Sequence, residues 1–309
     1  MARPKTLREG DLVALVAPSG WVREERVAAQ VRVLESWGLR ARVGARALHR
    51  HTFLAGTDGE RLADFNDALR DPEVRAIWCL RGGYGAQRIA DDLDFAAART
   101  DPKLIIGFSD VTALHLALWC AAGLPTVHGP TASYPEPGAA GHTEAGARHA
   151  LTTDEPVVVG ADRTLAAETF AVRTRGRASG TLLGGNLTVL ATSVGGGHRP
   201  DLTGAILLVE DVTEEPYRLD RYLVQLRRAG WLDGLAGVAV GQFTACADPD
   251  GRATVPAVLA EHFGALGVPV LGGLPIGHGT AQTAVGLGVP AILDADAGTL
   301  TVEPVAAAA

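Results

Sequence analysis

Residues 104–122 read LIIGFSDVTALHLALWCAA. The apolar run Leu104–Phe108 is typical of a buried parallel strand, and residues 110–122 form a predicted helix. Ser109 stands between the two, where a strand of an open α/β sheet passes into a helix, and such sheets bind ligands at this edge. The stretch therefore predicts an α/β fold with Ser109 at the carboxyl edge of a sheet.

The same alternation of strand and helix recurs before this stretch. Strands are predicted at 12–17 and 76–80, and helices at 23–37 and 60–69. Strands that alternate with helices predict a parallel sheet covered by helices. The first half of the chain is therefore expected to be an α/β domain.

The second half continues with shorter strands after an irregular segment. With 309 residues the chain exceeds what one core usually absorbs, so two domains are expected. We predict an amino-terminal α/β domain over 1–130, a linker of limited structure over 131–175, and a β-rich α/β domain over 176–309. The β-rich second domain is supported by predicted strands at 180–183, 205–209 and 238–243 and by an amphipathic helix at 219–229.

Composition excludes several classes of protein. Hydrophobic residues make up 47% and charged residues 20%, which is the balance of a folded globular protein. A net charge of -7 with scattered arginines argues against a nucleic-acid partner. No apolar run reaches the roughly 18 residues of a membrane span, and no secretory leader is apparent, which favours a cytoplasmic protein without a membrane partner.

The three cysteines, Cys79, Cys120 and Cys246, are odd in number and widely spaced. They form neither a disulfide pattern nor a metal-binding pattern, so we expect reduced core residues. The sequence predicts no metal site and no cofactor.

Ser109 has two interpretations at this point. Beside a helix amino terminus, backbone N–H groups and the helix dipole stabilise negative charge on an attacked carbonyl oxygen, as a nucleophile requires. Serine is also a common helix cap, and the segment departs from the hydrolase elbow G-x-S-x-G because Val111 replaces the last glycine. Position alone leaves both interpretations open.

The segment Arg81–Gly85 (RGGYG) follows a predicted strand and should lie at the same sheet edge as Ser109. The N–H groups of Gly83 and Asp110 could together form an oxyanion hole. A phosphate cradle is the rival interpretation, but G-x-G-x-x-G and Gly-Lys-Ser/Thr are both absent. A plain tight turn also stays open.

Two residues of the second half are candidate partners for Ser109. His278 lies in a glycine-rich loop, which is an unusual place for a packed core histidine. Glu210 ends an apolar strand, where a buried acid needs a partner, and an imidazole would serve. Asp211, Glu214 and Glu215 crowd the same segment, and composition does not rank these acids. An ion pair of Glu210 with Arg218 or Arg221 is the structural alternative.

At this point the sequence resembles the LD-carboxypeptidases, serine peptidases that also include the microcin C immunity proteins. The resemblance covers nearly the whole chain. It is carried by VALVAPSG at 13–20, RGGYG at 81–85, GFSD at 107–110, HGP at 128–130, GGNL at 184–187, LLVEDVTEEPYRLDR at 207–221, GQF at 241–243 and LPIGHG at 274–279.

The resemblance implies a triad of Ser109, Glu210 and His278 that is split between two domains. It implies a cytoplasmic homodimer whose amino-terminal domain is similar to class I glutamine amidotransferases. It also implies metal-independent removal of the terminal D-Ala from murein tetrapeptides in cell-wall recycling, at a bond between an L-centre and a D-residue. Arg81 and Asn186 are candidates for binding the substrate, although either could only hold its own turn together.

Three other functions are considered. A microcin C immunity-type peptidase would cleave aminoacyl-nucleotide toxins, but residues 211–215 (DVTEE) are acidic where a phosphate would favour a cation. A non-enzymatic small-molecule binding module would not need the Ser109 hydroxyl. A glutamine amidotransferase would need a cysteine at the nucleophile turn, and none stands there.

Overall fold

The computed structural model describes residues 3–130 and 140–308. Its strands are β1 (Leu12–Val16), β2 (Arg40–Val43), β3 (Val74–Cys79), β4 (Leu104–Gly107), β5 (Thr126–His128), β6 (Val157–Gly160), β7 (Arg173–Thr174), β8 (Arg177–Asn186), β9 (Ile206–Val212), β10 (Gly237–Thr244), β11 (Val270–Leu271), β12 (Val285–Leu287), β13 (Val289–Asp294) and β14 (Thr299–Val302). Its α-helices are α1 (Glu24–Ser36), α2 (Asp58–Arg70), α3 (Phe95–Thr100), α4 (Thr112–Ala122), α5 (Ala140–Thr152), α6 (Leu187–Thr192), α7 (Pro216–Arg228) and α8 (Val255–Gly264). None of the helices described here is long and apolar enough to cross a membrane.

The first sheet has the strand order β12-β5-β4-β3-β1-β2. Strands β1 to β5 are parallel to one another, as the alternating pattern predicts, and β12 is antiparallel to β5. Every residue of β1 and β4 is buried, which explains their uninterrupted apolar sequences, because helices cover both faces of a parallel sheet. The carboxyl end of β4 leads directly to Ser109.

The second sheet has the order β6-β14-β13-β8-β9-β10-β11-β7. Its centre, β8 to β11, is parallel, and antiparallel strands extend it on both sides. The expectation of a β-rich α/β second half is therefore confirmed. Strand β9 carries Glu210 near its end, beside Asn186 of β8.

Residues 131–175 differ from the expectation of a linker with limited structure. Helix α5 and strands β6 and β7 fall within this segment, and the two strands form opposite edges of the second sheet. Strand β6 pairs with β14, which lies far away in the sequence, so the local sequence pattern does not reveal this pairing. Residues 131–139 lie outside the described residues, and the exact domain limits stay a prediction.

The two halves share buried packing. One cluster of buried side chains joins Ile106 and Val127 of the first sheet to Leu182 and Ile206 of the second. Strand β12, from the carboxy-terminal part, pairs with β5 and so completes the first sheet. This shared core holds the Ser109 edge against the Glu210 edge.

Candidate active site

Ser109 lies in a strained turn. Phe108 continues the extended backbone of β4, and Ser109 then has φ +61°. A positive φ is uncommon for a residue with a side chain, and strain of this kind is concentrated at functional sites. The helix predicted from Asp110 instead begins at Thr112, because residues 109–111 form a 3₁₀ turn.

The helix-cap interpretation of Ser109 does not match this geometry. Phe108 is the cap residue of the 3₁₀ turn and Val111 is that of α4, and neither cap makes a side-chain hydrogen bond. The Ser109 side chain instead belongs to the lining of a pocket.

The glycine-rich turn after β3 packs closely against Ser109. A methyl group at Gly82 would lie 2.8 Å from Ser109 Cβ and 3.1 Å from its Oγ, so only glycine fits there. The Ala86 N–H donates to the buried Asp110 carboxylate at 2.8 Å and ties the two turns together. Gly83, one of the two predicted oxyanion donors, lies in this turn with φ +109°.

His278 and Glu210 form a buried pair. His278 Nδ1 lies 2.5 Å from Glu210 Oε2, and Glu210 is fully buried. An ionised carboxylate can only accept, so Nδ1 carries the proton and Nε2 is the acceptor of the neutral ring. The alternative ion pair of Glu210 with Arg218 or Arg221 is not found: Arg218 lies 3.7 Å from Glu214, and the Arg221 guanidinium lies over the Tyr217 ring.

The charges of this pair stabilise each other. Burial raises the pKa of Glu210, but the positive charge of His278 and their hydrogen bond outweigh burial and leave it lowered. Burial is the largest influence on His278 and lowers its pKa, but the charge of Glu210, their hydrogen bond and the charge of Asp211 together outweigh burial and leave the pKa raised. An imidazolium formed at His278 is therefore stabilised by Glu210.

The loop that carries His278 depends on Gln242. The Gly279 N–H donates to Gln242 Oε1 at 2.8 Å, and Gln242 Nε2 donates to the Ala281 carbonyl at 3.1 Å. Gly277 has φ +127°, and a methyl group there would lie 2.7 Å from Glu210 Oε2. The motif GQF was noted in the sequence, but its contact with the loop that carries His278 could be found only from the structure.

Asn186 has a structural position. Its side-chain amide donates to Asp211 Oδ1 at 3.0 Å, and its oxygen accepts from the Val189 N–H at the start of α6. Burial and the charge of Glu210 raise the pKa of Asp211 to about 6. Asn186 does not line the pocket described below, so these contacts favour the alternative that it holds its own turn together.

His128, from the motif HGP, lies near the His278–Glu210 pair. Its ring is buried on β5, 6.3 Å from the Phe108 ring. Burial lowers the pKa of His128 to about 4, so the ring is neutral at neutral pH. The sequence motif signalled this residue, although not its place beside Phe108, whose ring also lies 4.8 Å from the His278 ring.

Ser109 and His278 open into the same pocket. The pocket has a volume of about 480 Å³, in the range of small-molecule sites. It is lined by Trp21, Val22, Arg23, Arg26, Leu80, Arg81, Gly82, Gly83, Phe108, Ser109 and His278. Of the residues expected from sequence, Ser109, His278, Arg81 and Gly83 therefore meet here. Sequence reasoning missed Arg23 and Arg26, which look like ordinary surface residues of a helix.

Other histidines have different partners. His49 lies 2.9 Å from Glu60, and His262 lies 2.7 Å from Asp220. His115 bonds the Gly107 carbonyl at 2.9 Å. Among the described residues, His278 is the histidine that lines the Ser109 pocket.

Comparison with known proteins gives matches over both halves of the chain. Residues 13–129 match the model of the LD-carboxypeptidase N-terminal domain, and residues 179–293 match that of the C-terminal domain. A Streptomyces coelicolor protein named "Putative carboxypeptidase" is 46% identical over 98% of this chain and 96% of its own length. The murein tetrapeptide carboxypeptidase of Pseudomonas aeruginosa is 34% identical over 91% of this chain and 92% of its own length.

Solved structures agree with these matches. The muramoyltetrapeptide carboxypeptidase of Oxalobacter formigenes superposes with a TM-score of 0.83 and 30% identity, over 96% of this chain and all of that one. The microcin C7 self-immunity protein in its wild-type ligand-free state has a TM-score of 0.87 at 23% identity, over 98% of both chains, and shares the fold. The chain therefore belongs to the LD-carboxypeptidase family of serine peptidases.

Proposed function

We propose that this protein removes the terminal D-alanine from murein tetrapeptides by hydrolysing the bond between an L-centre and the D-residue. The observation that carries the proposal is the shared pocket, which is lined by Ser109 in its strained turn and by His278 bonded to buried Glu210. Relatives named murein tetrapeptide carboxypeptidase supply the substrate class.

In the proposed mechanism, Ser109 Oγ attacks the peptide carbonyl while His278 Nε2 accepts its proton. The N–H groups of Gly83 and Asp110 stabilise the oxyanion, and Glu210 stabilises the imidazolium. The C–N bond then breaks, and His278 returns the proton to the departing D-alanine amine. Water hydrolyses the acyl-enzyme with His278 as base again, and the chemistry includes no metal ion.

Arg81 is our candidate for binding the terminal carboxylate that a carboxypeptidase must recognise. It lines the pocket next to Ser109, and its Nη1 donates to the Trp21 carbonyl at 2.7 Å. That bond holds the guanidinium in place, so less side-chain freedom is lost when a carboxylate binds.

Two of the alternative functions can be weighed against the pocket. The acidic segment after Glu210 does not line it, whereas three arginines do, so local charge does not disfavour a phosphate-bearing substrate. The preference for murein peptides rests on the relatives instead. Cysteine chemistry of the amidotransferase kind has no support, because burial raises the pKa of Cys120 to about 11 and that of Cys246 to about 12.

The proposed function is tested by incubating the purified protein with murein tetrapeptides that end in meso-diaminopimelyl-D-alanine or L-lysyl-D-alanine. We expect free D-alanine and the matching tripeptide by mass spectrometry, with and without a chelator. An aminoacyl sulfamoyl adenosine is the parallel substrate for the immunity-type alternative. Failure to release D-alanine from any stem peptide would contradict the murein proposal, and inhibition by the chelator would contradict the metal-free mechanism.

The activity should depend on pH through His278. This residue must be neutral to accept the Ser109 proton, and its pKa is raised above 6.5, the ordinary value for histidine, by Glu210 and to a smaller extent by Asp211. We therefore expect kcat/KM to be low in acid and to rise with pH, with a midpoint above 6.5. A pH profile of the wild type measures this midpoint, and a midpoint below 6.5 would contradict the assignment.

We further propose that the protein acts in the cytoplasm as a homodimer, as its family resemblance implies. The free thiols of Cys79, Cys120 and Cys246 suit a reducing compartment. Light scattering on the purified protein should give twice the chain mass of 32.0 kDa. A mass equal to one chain at micromolar concentration would contradict the dimer.

A further inference from the structure

The pocket carries more positive charge than one terminal carboxylate requires. Arg23 and Arg26 line it together with Arg81, and no aspartate or glutamate is among its described lining residues. The chain as a whole has a net charge of -7, so this concentration of arginine opposes the overall charge. Such a local field favours a ligand with more than one negative group.

Arg23 and Arg26 are positioned to act together. Arg23 is the cap residue of α1 and Arg26 follows three positions later, so both lie on the same side of the helix start. In the described part of the chain neither forms an ion pair, whereas Arg42 and Arg46 on the same domain pair with aspartates. Both side chains are exposed at the pocket wall.

A guanidinium presents several N–H donors in a plane that matches a carboxylate. In the proposed substrate, the residue before the scissile bond can be meso-diaminopimelate, whose far end bears a free carboxylate beside an ammonium group. It can also be an amidated diaminopimelate or L-lysine, whose far ends lack that carboxylate. These side chains differ in charge at one end and only slightly in length.

Building on the proposed function, we infer that Arg23 and Arg26 bind a second substrate carboxylate, on the side chain before the scissile bond. The pocket thereby selects stem peptides that contain meso-diaminopimelate over those that contain its amide or L-lysine. Arg81 keeps the terminal carboxylate, so the two anionic groups of the substrate bind to different arginines.

The test compares kcat/KM for three tetrapeptides that differ only in this residue: meso-diaminopimelate, its amide at the far carboxyl, and L-lysine. The amide is the sharpest probe because it keeps the shape and removes the charge. We expect the wild type to prefer the free acid about tenfold, mainly through KM, and less at high salt.

The double variant Arg23→Gln/Arg26→Gln should lose most of this preference. Arg32→Gln is the matched control, because Arg32 is an exposed arginine of the same helix that does not line the pocket. It should keep both the preference and the rate. Circular dichroism and thermal unfolding of the three proteins verify that each is folded.

The possible outcomes distinguish failure of this inference from failure of the proposed function. If the wild type releases D-alanine equally well from the free acid and the amide, the inference is wrong while the proposed function stands. If it releases none from any stem peptide, both fall. If only an aminoacyl phosphoramidate nucleotide is cleaved, and the double variant loses that cleavage, the arginines bind phosphate and the carboxylate assignment is overturned.

Discussion

Replacing Ser109 with alanine is expected to lower kcat for D-alanine release by about 10⁴-fold or more, because the hydroxyl is the proposed nucleophile and no acyl-enzyme can form without it. KM and the thermal midpoint should change little. The strained φ of +61° is equally available to alanine, and the Ser109 side chain makes no helix-cap hydrogen bond that would be lost.

The Ser109→Ala experiment also addresses the non-enzymatic alternative. A binding module would keep its function in this variant, whereas a peptidase would keep only its affinity for the tetrapeptide, measurable by calorimetry. Ser179→Ala is the matched control, since Ser179 is an exposed serine on β8 and should be dispensable. If Ser109→Ala retained a tenth of the wild-type rate, the nucleophile assignment would be wrong.

Replacing Glu210 with glutamine should lower kcat by about 10³- to 10⁴-fold while the protein stays folded. The amide keeps the shape of the carboxylate but removes the charge that stabilises the imidazolium, and because its NH2 group can donate to Nδ1, the His278 tautomer is no longer fixed. The interactions with His278 outweigh the cost of burying the Glu210 carboxylate, so loss of its charge should lower the thermal midpoint somewhat at neutral pH.

Glu210→Gln has a spectroscopic signature as well. Burial lowers the pKa of His278 and Glu210 raises it, so without the carboxylate the ring should titrate below 6.5. NMR titration in the Ser109→Ala background, with and without Glu210→Gln, measures this shift. Asp220→Asn is the matched control. Asp220 lies 2.7 Å from His262 and does not line the pocket, so this substitution should affect neither kcat nor the His278 titration. An unchanged His278 titration in Glu210→Gln would refute the electrostatic role.

Much of the fold was predictable because its parallel strands are buried on both faces. Strands β1 and β4 have uninterrupted apolar sequences and were recognised within one residue of their observed bounds, whereas β9 was recognised by its apolar first half and extends three residues further than predicted. The β6 strand was not recognised, since its four residues at 157–160 gain their partner from β14 at the other end of the chain. Short edge strands depend on such distant pairing more than on local propensity.

The candidate site likewise has residues that the sequence signalled and residues that it did not. Ser109, Glu210 and His278 were singled out because each stands in an unusual local setting and because the motifs around them resemble a known family. Arg23 and Arg26 had no such signal, because an exposed arginine near a helix start is ordinary until the fold places it in a pocket wall. Asn186 differs from these arginines, because its sequence motif suggested substrate binding, whereas its contacts with Asp211 and the start of α6 favour a structural role.

The sequence by itself therefore determined the order of strands and helices, the class of fold and the serine, acid and histidine that could react. The fold class follows from periodicity and burial along the chain, whereas the choice of serine, acid and histidine among their rivals rested on the motifs that resemble the family. Only the tertiary structure decided which of these groups meet: the shared core and the β5–β12 pairing bring the two halves together, so that His278 and Ser109 line one pocket. It also decided the charge of that pocket, because side chains separated by more than fifty residues in sequence contribute to one wall only after folding.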